Sequence, residues 1–164
     1  MRRTAAALLF AMAFTAPAAA QELTLALSAY RPFGIDDLDG ELPLSMELRF
    51  TIPISDRLAL EPFVTAGSDH RRPRAGPEGF YGVQIRQRIV SLTGKDVYAF
   101  ATYGAAGYYS SFGFTAPLNG HFGFGLHQRL SERLALRPEI QLITFHVVPV
   151  GARFVAGLSV DLAR

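Results

Sequence analysis

The stretch Ile54-Ser55-Asp56-Arg57-Leu58-Ala59-Leu60-Glu61-Pro62 returns almost unchanged as Leu130-Ser131-Glu132-Arg133-Leu134-Ala135-Leu136-Arg137-Pro138. The two copies start at positions 54 and 130 and are therefore 76 residues apart. Each copy has a polar break of Ser, an acidic residue and Arg, followed by apolar residues at every second position, a pattern typical of a tight hairpin between half-buried β-strands. Pro62 and Pro138 lack a backbone donor, so each copy also predicts a bulge or a local break in the ladder.

Other segments of the chain show the same period of two, which is the period of a β-strand. In Leu44–Ile54, for example, Met46 and Leu48 alternate with Glu47 and Arg49. We therefore predict an antiparallel meander of eight strands. The predicted strands are Leu23–Tyr30, Leu44–Ile54, Leu58–Ala66, Phe80–Val90, Val97–Tyr109, Gly120–Leu130, Leu134–Phe145 and Val150–Leu162.

Residues 1–20 have the pattern of a secretory signal. Arg2 and Arg3 give a positive start, an apolar stretch follows, and small residues precede Gln21. We expect cleavage after residue 20, which leaves one β-barrel domain at residues 21–164. The chain has no cysteine, so the sequence offers neither disulfides nor zinc–thiolate sites. Its net charge of +2 is too small to indicate nucleic-acid binding.

Alternation alone does not decide which face of a barrel lies inside, because soluble and membrane barrels share it. The lengths of the connections favour a membrane barrel, which has short turns at one end and long loops at the other. Short breaks follow strands two, four and six, at Ser55–Arg57, Ser91–Asp96 and Ser131–Arg133. Long segments rich in Gly and Pro follow strands one, three and five, at Arg31–Pro43, Gly67–Gly79 and Ser110–Asn119.

Aromatic residues concentrate near the long-loop ends of the predicted strands. This placement predicts an aromatic girdle at one membrane interface. The predicted girdle comprises Tyr30, Phe33, Phe80, Tyr81, Tyr108, Tyr109, Phe112, Phe114, Phe122 and Phe145.

Together these features resemble the small eight-stranded outer-membrane β-barrels of Gram-negative bacteria, which include the barrel domain of outer membrane protein A and opacity-type proteins. The resemblance rests on the signal-like start, the eight strands, the short Ser-acid-Arg-Leu turns and the apolar alternation of Leu158, Val160 and Leu162. It implies an all-β, antiparallel up-and-down transmembrane barrel in the outer membrane, inserted by the outer-membrane insertion machinery. We expect a monomer, although the sequence leaves the oligomeric state open. Members of that family usually finish on an aromatic residue, whereas here Ala163 and Arg164 follow Leu162.

An eight-stranded barrel has an interior just wide enough for its own side chains, so we do not expect an open pore. Buried charges persist only when they are paired, and we therefore predict an ion-pair ladder in the lumen, with Glu139 paired to Arg129 or Arg137. A gated ion path between such pairs is the alternative. The predicted lumen residues are Glu47, Arg49, Glu61, Arg86, Arg88, Arg129, Arg137, Glu139, Arg153 and Asp161.

Little in the sequence indicates catalysis. His127 and Glu139 are expected on neighbouring strands, but Arg129 stands two residues after His127, where lipid A deacylases, which the chain resembles only in architecture, have a serine nucleophile. No metal-binding HExxH motif, phosphate loop or nucleotide fingerprint occurs, and we predict no catalytic residue, cofactor or metal. A lipid A-modifying enzyme and a soluble periplasmic barrel that binds an apolar ligand are the alternatives.

The long loops carry the candidate binding residues. Arg71, Arg72 and Arg74 suit the phosphates of lipopolysaccharide or an acidic partner, although a simply solvated loop has the same composition. The acidic residues within 36–41 are expected to be solvated. The sequence thus predicts a non-enzymatic barrel that contacts outer-membrane lipid and lipopolysaccharide and acts in envelope integrity or surface interaction.

Overall fold

The computed structural model describes residues 22–33, 44–67, 79–93, 96–110, 113–114, 119–145 and 148–162. Among these residues, no helix is long and apolar enough to cross a membrane. The strands within the described residues are β1 (Glu22–Pro32), β2 (Leu44–Pro53), β3 (Leu58–Gly67), β4 (Gly79–Thr93), β5 (Val97–Ser110), β6 (Gly113–Phe114), β7 (Asn119–Arg129), β8 (Leu134–Phe145) and β9 (Val148–Asp161).

Eight of these strands form one closed antiparallel barrel. Their order around the sheet is β4-β3-β2-β1-β9-β8-β7-β5, and pairing between β4 and β5 joins its two ends. The first and last strands, β1 and β9, pair continuously from Glu22 opposite Asp161 to Pro32 opposite Gly151. The short strand β6 adds a two-residue edge to the end of β5 and lies in the segment that we predicted to be a loop. The predicted eight-stranded antiparallel barrel is confirmed.

The two copies of the repeated stretch form the same turn. Ile54 and Ser55 donate backbone hydrogen bonds to the carbonyl oxygen of Leu58, at 2.8 and 3.0 Å. Leu130 and Ser131 donate to Leu134 in the same way, at 2.8 and 3.1 Å. In both turns the serine hydroxyl also accepts hydrogen bonds from the two backbone N–H groups that complete the turn. We call the end of the barrel that carries these turns the short-turn end, and the opposite end the long-loop end.

Strand β4 differs most from its prediction. It continues to Thr93 rather than ending at Val90, so part of the predicted Ser91–Asp96 break belongs to the strand. Two register shifts against β5, one between Arg88 and Val90 and one between Ser91 and Thr93, explain the error. Such bulges interrupt the alternation of faces, and the sequence pattern therefore ends before the strand does.

Pro62 and Pro138 interrupt matching ladders. The pairing of β2 with β3 is broken beside Pro62, and that of β7 with β8 is broken beside Pro138. In both cases pairing resumes in the same register, so the structure shows the local break and not the bulge. On their other sides the two prolines stay in register with Val83 and Ala156.

Side chains alternate between a polar inner face and an apolar outer face. On β2, Glu47 and Arg49 are 1% and 2% exposed, whereas Met46 is 63% exposed. An exposed apolar surface that continues around a whole barrel suits lipid rather than water. Other apolar side chains exposed on the outer face include Leu25, Leu27, Leu44, Val64, Val83, Phe122, Phe124, Leu126, Leu136, Ile140, Leu142, Phe154 and Leu158. A soluble barrel with an apolar interior is therefore excluded.

Candidate functional site

The middle of the lumen is filled by six charged side chains, which we call the central charge layer. They come from β2, β3, β8 and β9, and all of them are buried. Charges of both signs are present in equal number. The members are Glu47, Arg49, Glu61, Arg137, Glu139 and Arg153.

Glu61 on β3 contacts arginines from three different strands. Its carboxylate oxygens lie 3.3 Å from Nη1 of Arg49, 3.3 Å from Nε of Arg86 and 3.0 Å from Nη2 of Arg137. The hydroxyl of Thr51 donates a further hydrogen bond of 2.8 Å. Because Glu61 is 0% exposed, its negative charge is stabilised by these neighbours rather than by water.

Arg49 joins the other two carboxylates of the layer. Its Nε donates to Oε1 of Glu47 at 2.8 Å, and its Nη1 lies 2.7 Å from Oε2 of Glu139. Arg153 makes an ion pair with the second oxygen of Glu47. Each carboxylate of the central charge layer therefore has at least one arginine partner.

The partner of Glu139 differs from our prediction. We expected Arg129 or Arg137, on or next to its own strand, and the structure instead pairs Glu139 with Arg49, which lies on β2. Arg129 lies at the short-turn end, and Arg137 pairs with Glu61. In a narrow barrel, long side chains reach across the lumen, so contacts between adjacent strands do not determine the pairs.

Uncharged polar side chains complete the hydrogen bonding around the layer. Thr24 accepts a bond of 3.0 Å from Arg137, and Ser28 accepts one of 3.2 Å from Arg153. Gln141 donates to Glu139 at 2.7 Å. Gln84 Nε2 donates to Glu61 at 2.8 Å, and its carbonyl oxygen lies 2.8 Å from Nε2 of His121.

Two aromatic rings pack against the central charge layer. The guanidinium of Arg137 lies 5.2 Å from the centre of the Phe100 ring, and that of Arg153 lies 5.8 Å from the centre of the Phe63 ring. Phe100 is 0% exposed and fits because residue 125 on the neighbouring strand is glycine. A Cβ atom at Gly125 would lie 2.4 Å from Cζ of Phe100. At this level the lumen is closed by packed side chains.

Glu22, at the start of β1, connects two side chains at the short-turn end of the lumen. Its carboxylate lies 3.2 Å from Nη1 of Arg86 and 3.4 Å from Nε2 of His127. The His127 ring stacks on Tyr98 with a centroid distance of 4.5 Å and an interplanar angle of 11°. The guanidinium carbon of Arg88 lies over the same tyrosine ring, 4.2 Å from its centre.

The structure thus divides the ten predicted lumen residues between two levels. Six form the central charge layer. The other four, Arg86, Arg88, Arg129 and Asp161, lie at the short-turn end, where Arg129 and Asp161 are 3.8 Å apart. Arg88 contacts an aromatic ring and has no ion pair among the described residues.

The contacts of the two described histidines argue against an acid–base pair of His127 and Glu139. His127 contacts Glu22 and not Glu139, which lies deeper in the lumen. His121 contacts Gln84 and packs against the Phe63 ring, 5.6 Å away. Within the described part of the chain, no group of three or more His, Asp or Glu side chains is placed to hold a metal ion.

The predicted aromatic girdle is wrong for two of its members. The rings of Tyr30 and Phe80 lie 6.0 Å apart, although their strands, β1 and β4, are not neighbours in the sheet. Such a contact is possible only across the lumen, so both rings close its long-loop end. Phe122 does face outward and is 42% exposed. Phe112 lies outside the described residues, as do His70 and the candidate loop residues Arg71, Arg72 and Arg74.

Sequence reasoning missed several lumen residues. Glu22 was omitted because the first predicted strand began one residue later. Gln84, Tyr98 and Phe100 were omitted because the predicted lumen set contained charged residues alone, whereas amide and aromatic side chains also fill the lumen. The available signal was the spacing of two residues, which places Gln84 on the same face of β4 as Arg86, and Tyr98 and Phe100 on one face of β5.

No protein-family model matches the sequence, and no curated protein matches it. Among solved structures, the chain is similar to Neisserial surface protein A, with a TM-score of 0.63 at 11% identity, covering 85% of this chain and 96% of that one. The chain has the fold of the small eight-stranded outer-membrane β-barrels. The N-terminal β-barrel domain of Pseudomonas aeruginosa OprF gives a TM-score of 0.57 at 10% identity, covering 85% and 98% of the two chains. A de novo designed transmembrane β-barrel gives 0.56 at 12% identity, covering 87% and 96%.

In this outer-membrane barrel fold, the outer wall and the middle of the lumen form the scaffold, and candidate interaction sites lie elsewhere. Its outer wall is apolar, and the middle of its lumen is closed by the paired central charge layer. Among the described residues, the exposed charged side chains, such as Arg31, Arg57 and Arg133, lie at the two ends.

Proposed function

We propose that the chain is a non-enzymatic outer-membrane protein that uses its barrel as a scaffold and its long loops as the binding surface. The observation that carries this proposal is the closed lumen, in which the charged groups bind one another. A barrel of this kind offers no wide channel for solutes. Export by the signal segment at residues 1–20, removal of that segment and insertion by the outer-membrane insertion machinery belong to the same proposal.

The proposed ligand is the phosphate of lipopolysaccharide, and the proposed binding residues are Arg71, Arg72 and Arg74. Planar guanidinium groups bind phosphate oxygens in pairs, and the outer leaflet places lipopolysaccharide beside the long loops. Three arginines within four positions of one loop give a high local positive charge. The contact is mainly electrostatic, so salt should weaken it as the Debye length falls from about 10 Å at 0.1 M.

The test compares the folded barrel with the variant R71Q/R72Q/R74Q for binding of purified lipopolysaccharide across a salt series. We expect the variant to fold and to lose the salt-sensitive part of the binding, because loop tips contribute little to the core. The matched control is R57Q/R88Q/R133Q, which removes the same charge at the short-turn end and should bind like the wild type. Equal binding by all three proteins would contradict the proposal.

A further inference from the structure

The lumen opens at the short-turn end into a cavity of about 740 Å³, which we call the short-turn cavity. It lies between the two repeated turns and the ends of the strands that carry Arg86, Tyr98 and His127. Its volume falls in the range of small-molecule sites, about 300–1,000 Å³. The central charge layer closes it from the rest of the lumen.

The lining of the short-turn cavity carries an excess of positive charge. Three acidic side chains face five arginines. The acidic side chains are Glu22, Asp56 and Asp161, and the arginines are Arg57, Arg86, Arg88, Arg129 and Arg133. Fixed positive charges around a concave space raise the local concentration of anions.

Within the described residues, only part of this charge is compensated. Arg86 is paired with Glu22 and Glu61, and Arg129 lies 3.8 Å from Asp161. For the other three arginines, Arg57, Arg88 and Arg133, no ion pair with any described residue occurs. These three side chains therefore keep guanidinium donors for a ligand.

Arg88 is held in place without being neutralised. Its guanidinium lies over one ring, Tyr98, which also stacks with His127. Contact with a ring face restrains a guanidinium, while its N–H donors lie in the guanidinium plane and can still bind anionic oxygens. A restrained donor loses less freedom on binding than a mobile one.

Arg57 and Arg133 approach the cavity from two separate turns. They occupy the same position in the two copies of the repeat, and their turns join β2 to β3 and β7 to β8. Two strands separate these hairpins in either direction around the closed sheet, so the two arginines lie on opposite sides of the mouth. A ligand with more than one anionic group suits this arrangement.

We propose that the short-turn cavity binds a small polyanion, with Arg88 as the central contact and Arg57 and Arg133 closing over it from the two turns. The ligand class is a molecule with two or more phosphate or carboxylate groups. In the orientation usual for such barrels, the short turns face the periplasm, and the ligand enters from that side. This site is independent of the loop site proposed above.

The probe is inorganic pyrophosphate, titrated calorimetrically into the barrel folded in an uncharged detergent, with tricarballylate as the carboxylate counterpart. We expect one site for at least one of the two probes. R88Q should raise Kd about tenfold, because charge-assisted hydrogen bonds contribute at least that much, and R57Q/R88Q/R133Q should abolish binding. Tighter binding of one probe assigns the site to phosphate or to carboxylate.

Two controls separate the cavity from general electrostatics. R31Q removes an exposed positive charge at the long-loop end of β1, outside both proposed sites, and should keep the wild-type Kd. R88K retains the charge but loses the planar fork, and it should weaken binding by several-fold. Binding of neither probe, or loss of binding in R31Q but not in R57Q/R88Q/R133Q, would overturn the proposal. Neither result bears on the lipopolysaccharide proposal, which R71Q/R72Q/R74Q tests with lipopolysaccharide itself.

Discussion

Glu61 and Arg137 occupy the same position in the two copies of the repeated stretch, and they meet across the lumen at 3.0 Å between Oε1 and Nη2. Their strands, β3 and β8, are not neighbours in the sheet, so the contact crosses the interior. The two copies form similar hairpins, but the side chain at this position is negative in the first copy and positive in the second. Identical residues here would place like charges together in the lumen.

The first prediction concerns this pair. Glu61→Ala removes a carboxylate from three arginines and should lower the free energy of unfolding by about 3–5 kcal/mol. The double variant E61Q/R137M replaces both charges with neutral groups of similar size. It should cost less stability than the sum of the costs of the single variants E61Q and R137M. Urea unfolding of the barrel in lipid vesicles measures these differences, with Glu132→Ala in the exposed turn as the control. Additive effects would contradict the coupled layer.

The second prediction concerns the outer wall. Phe124, on β7, is 51% exposed in the absence of lipid. Phe124→Arg should destabilise the folded barrel in a bilayer by about 2–4 kcal/mol if residue 124 lies near the midplane. The matched change Leu130→Arg, at the short-turn end, should cost about 0–1 kcal/mol. Equal costs at the two positions would argue against the proposed depth of β7.

The third prediction concerns the repeated turns. Ser55 and Ser131 each accept hydrogen bonds from two backbone N–H groups. Ser55→Ala and Ser131→Ala should each cost about 0.5–1.5 kcal/mol, and the two costs should add because the turns are far apart. The Ser→Thr variants keep the hydroxyl and should recover most of the stability. Full stability of both alanine variants would show that the backbone alone fixes the turns.

How much of this structure the sequence predicts depends on the range of the interactions involved. The alternation in Leu44–Ile54 predicted β2 and its buried charges, because strand period and facing are local properties. The pairing of Arg49 with Glu139 was not predictable in this way, since it joins residues 90 positions apart across the lumen. The bulges of β4 were not predictable from the sequence for a related reason, because they depend on how β5 pairs with β4.

The fourth prediction concerns the packing beside Arg137. Gly125→Ala would place a Cβ 2.4 Å from Cζ of Phe100 and should cost about 1–3 kcal/mol through overpacking. Phe100→Leu removes the ring edge, so the double variant G125A/F100L should be more stable than the sum of the two single costs implies. Thermal unfolding in detergent measures both effects. Absence of coupling would mean that the ring moves aside without cost.

The fifth prediction tests the central claim, a transmembrane barrel whose apolar face meets lipid. The sequence contains no cysteine, so single cysteines introduced from position 120 to position 129 on β7 can carry a nitroxide without background labelling. In bilayers, accessibility to dissolved oxygen should peak at the positions of Phe122, Phe124 and Leu126 and fall at those between them. Peaks at the intervening positions, or no alternation along β7, would contradict the account.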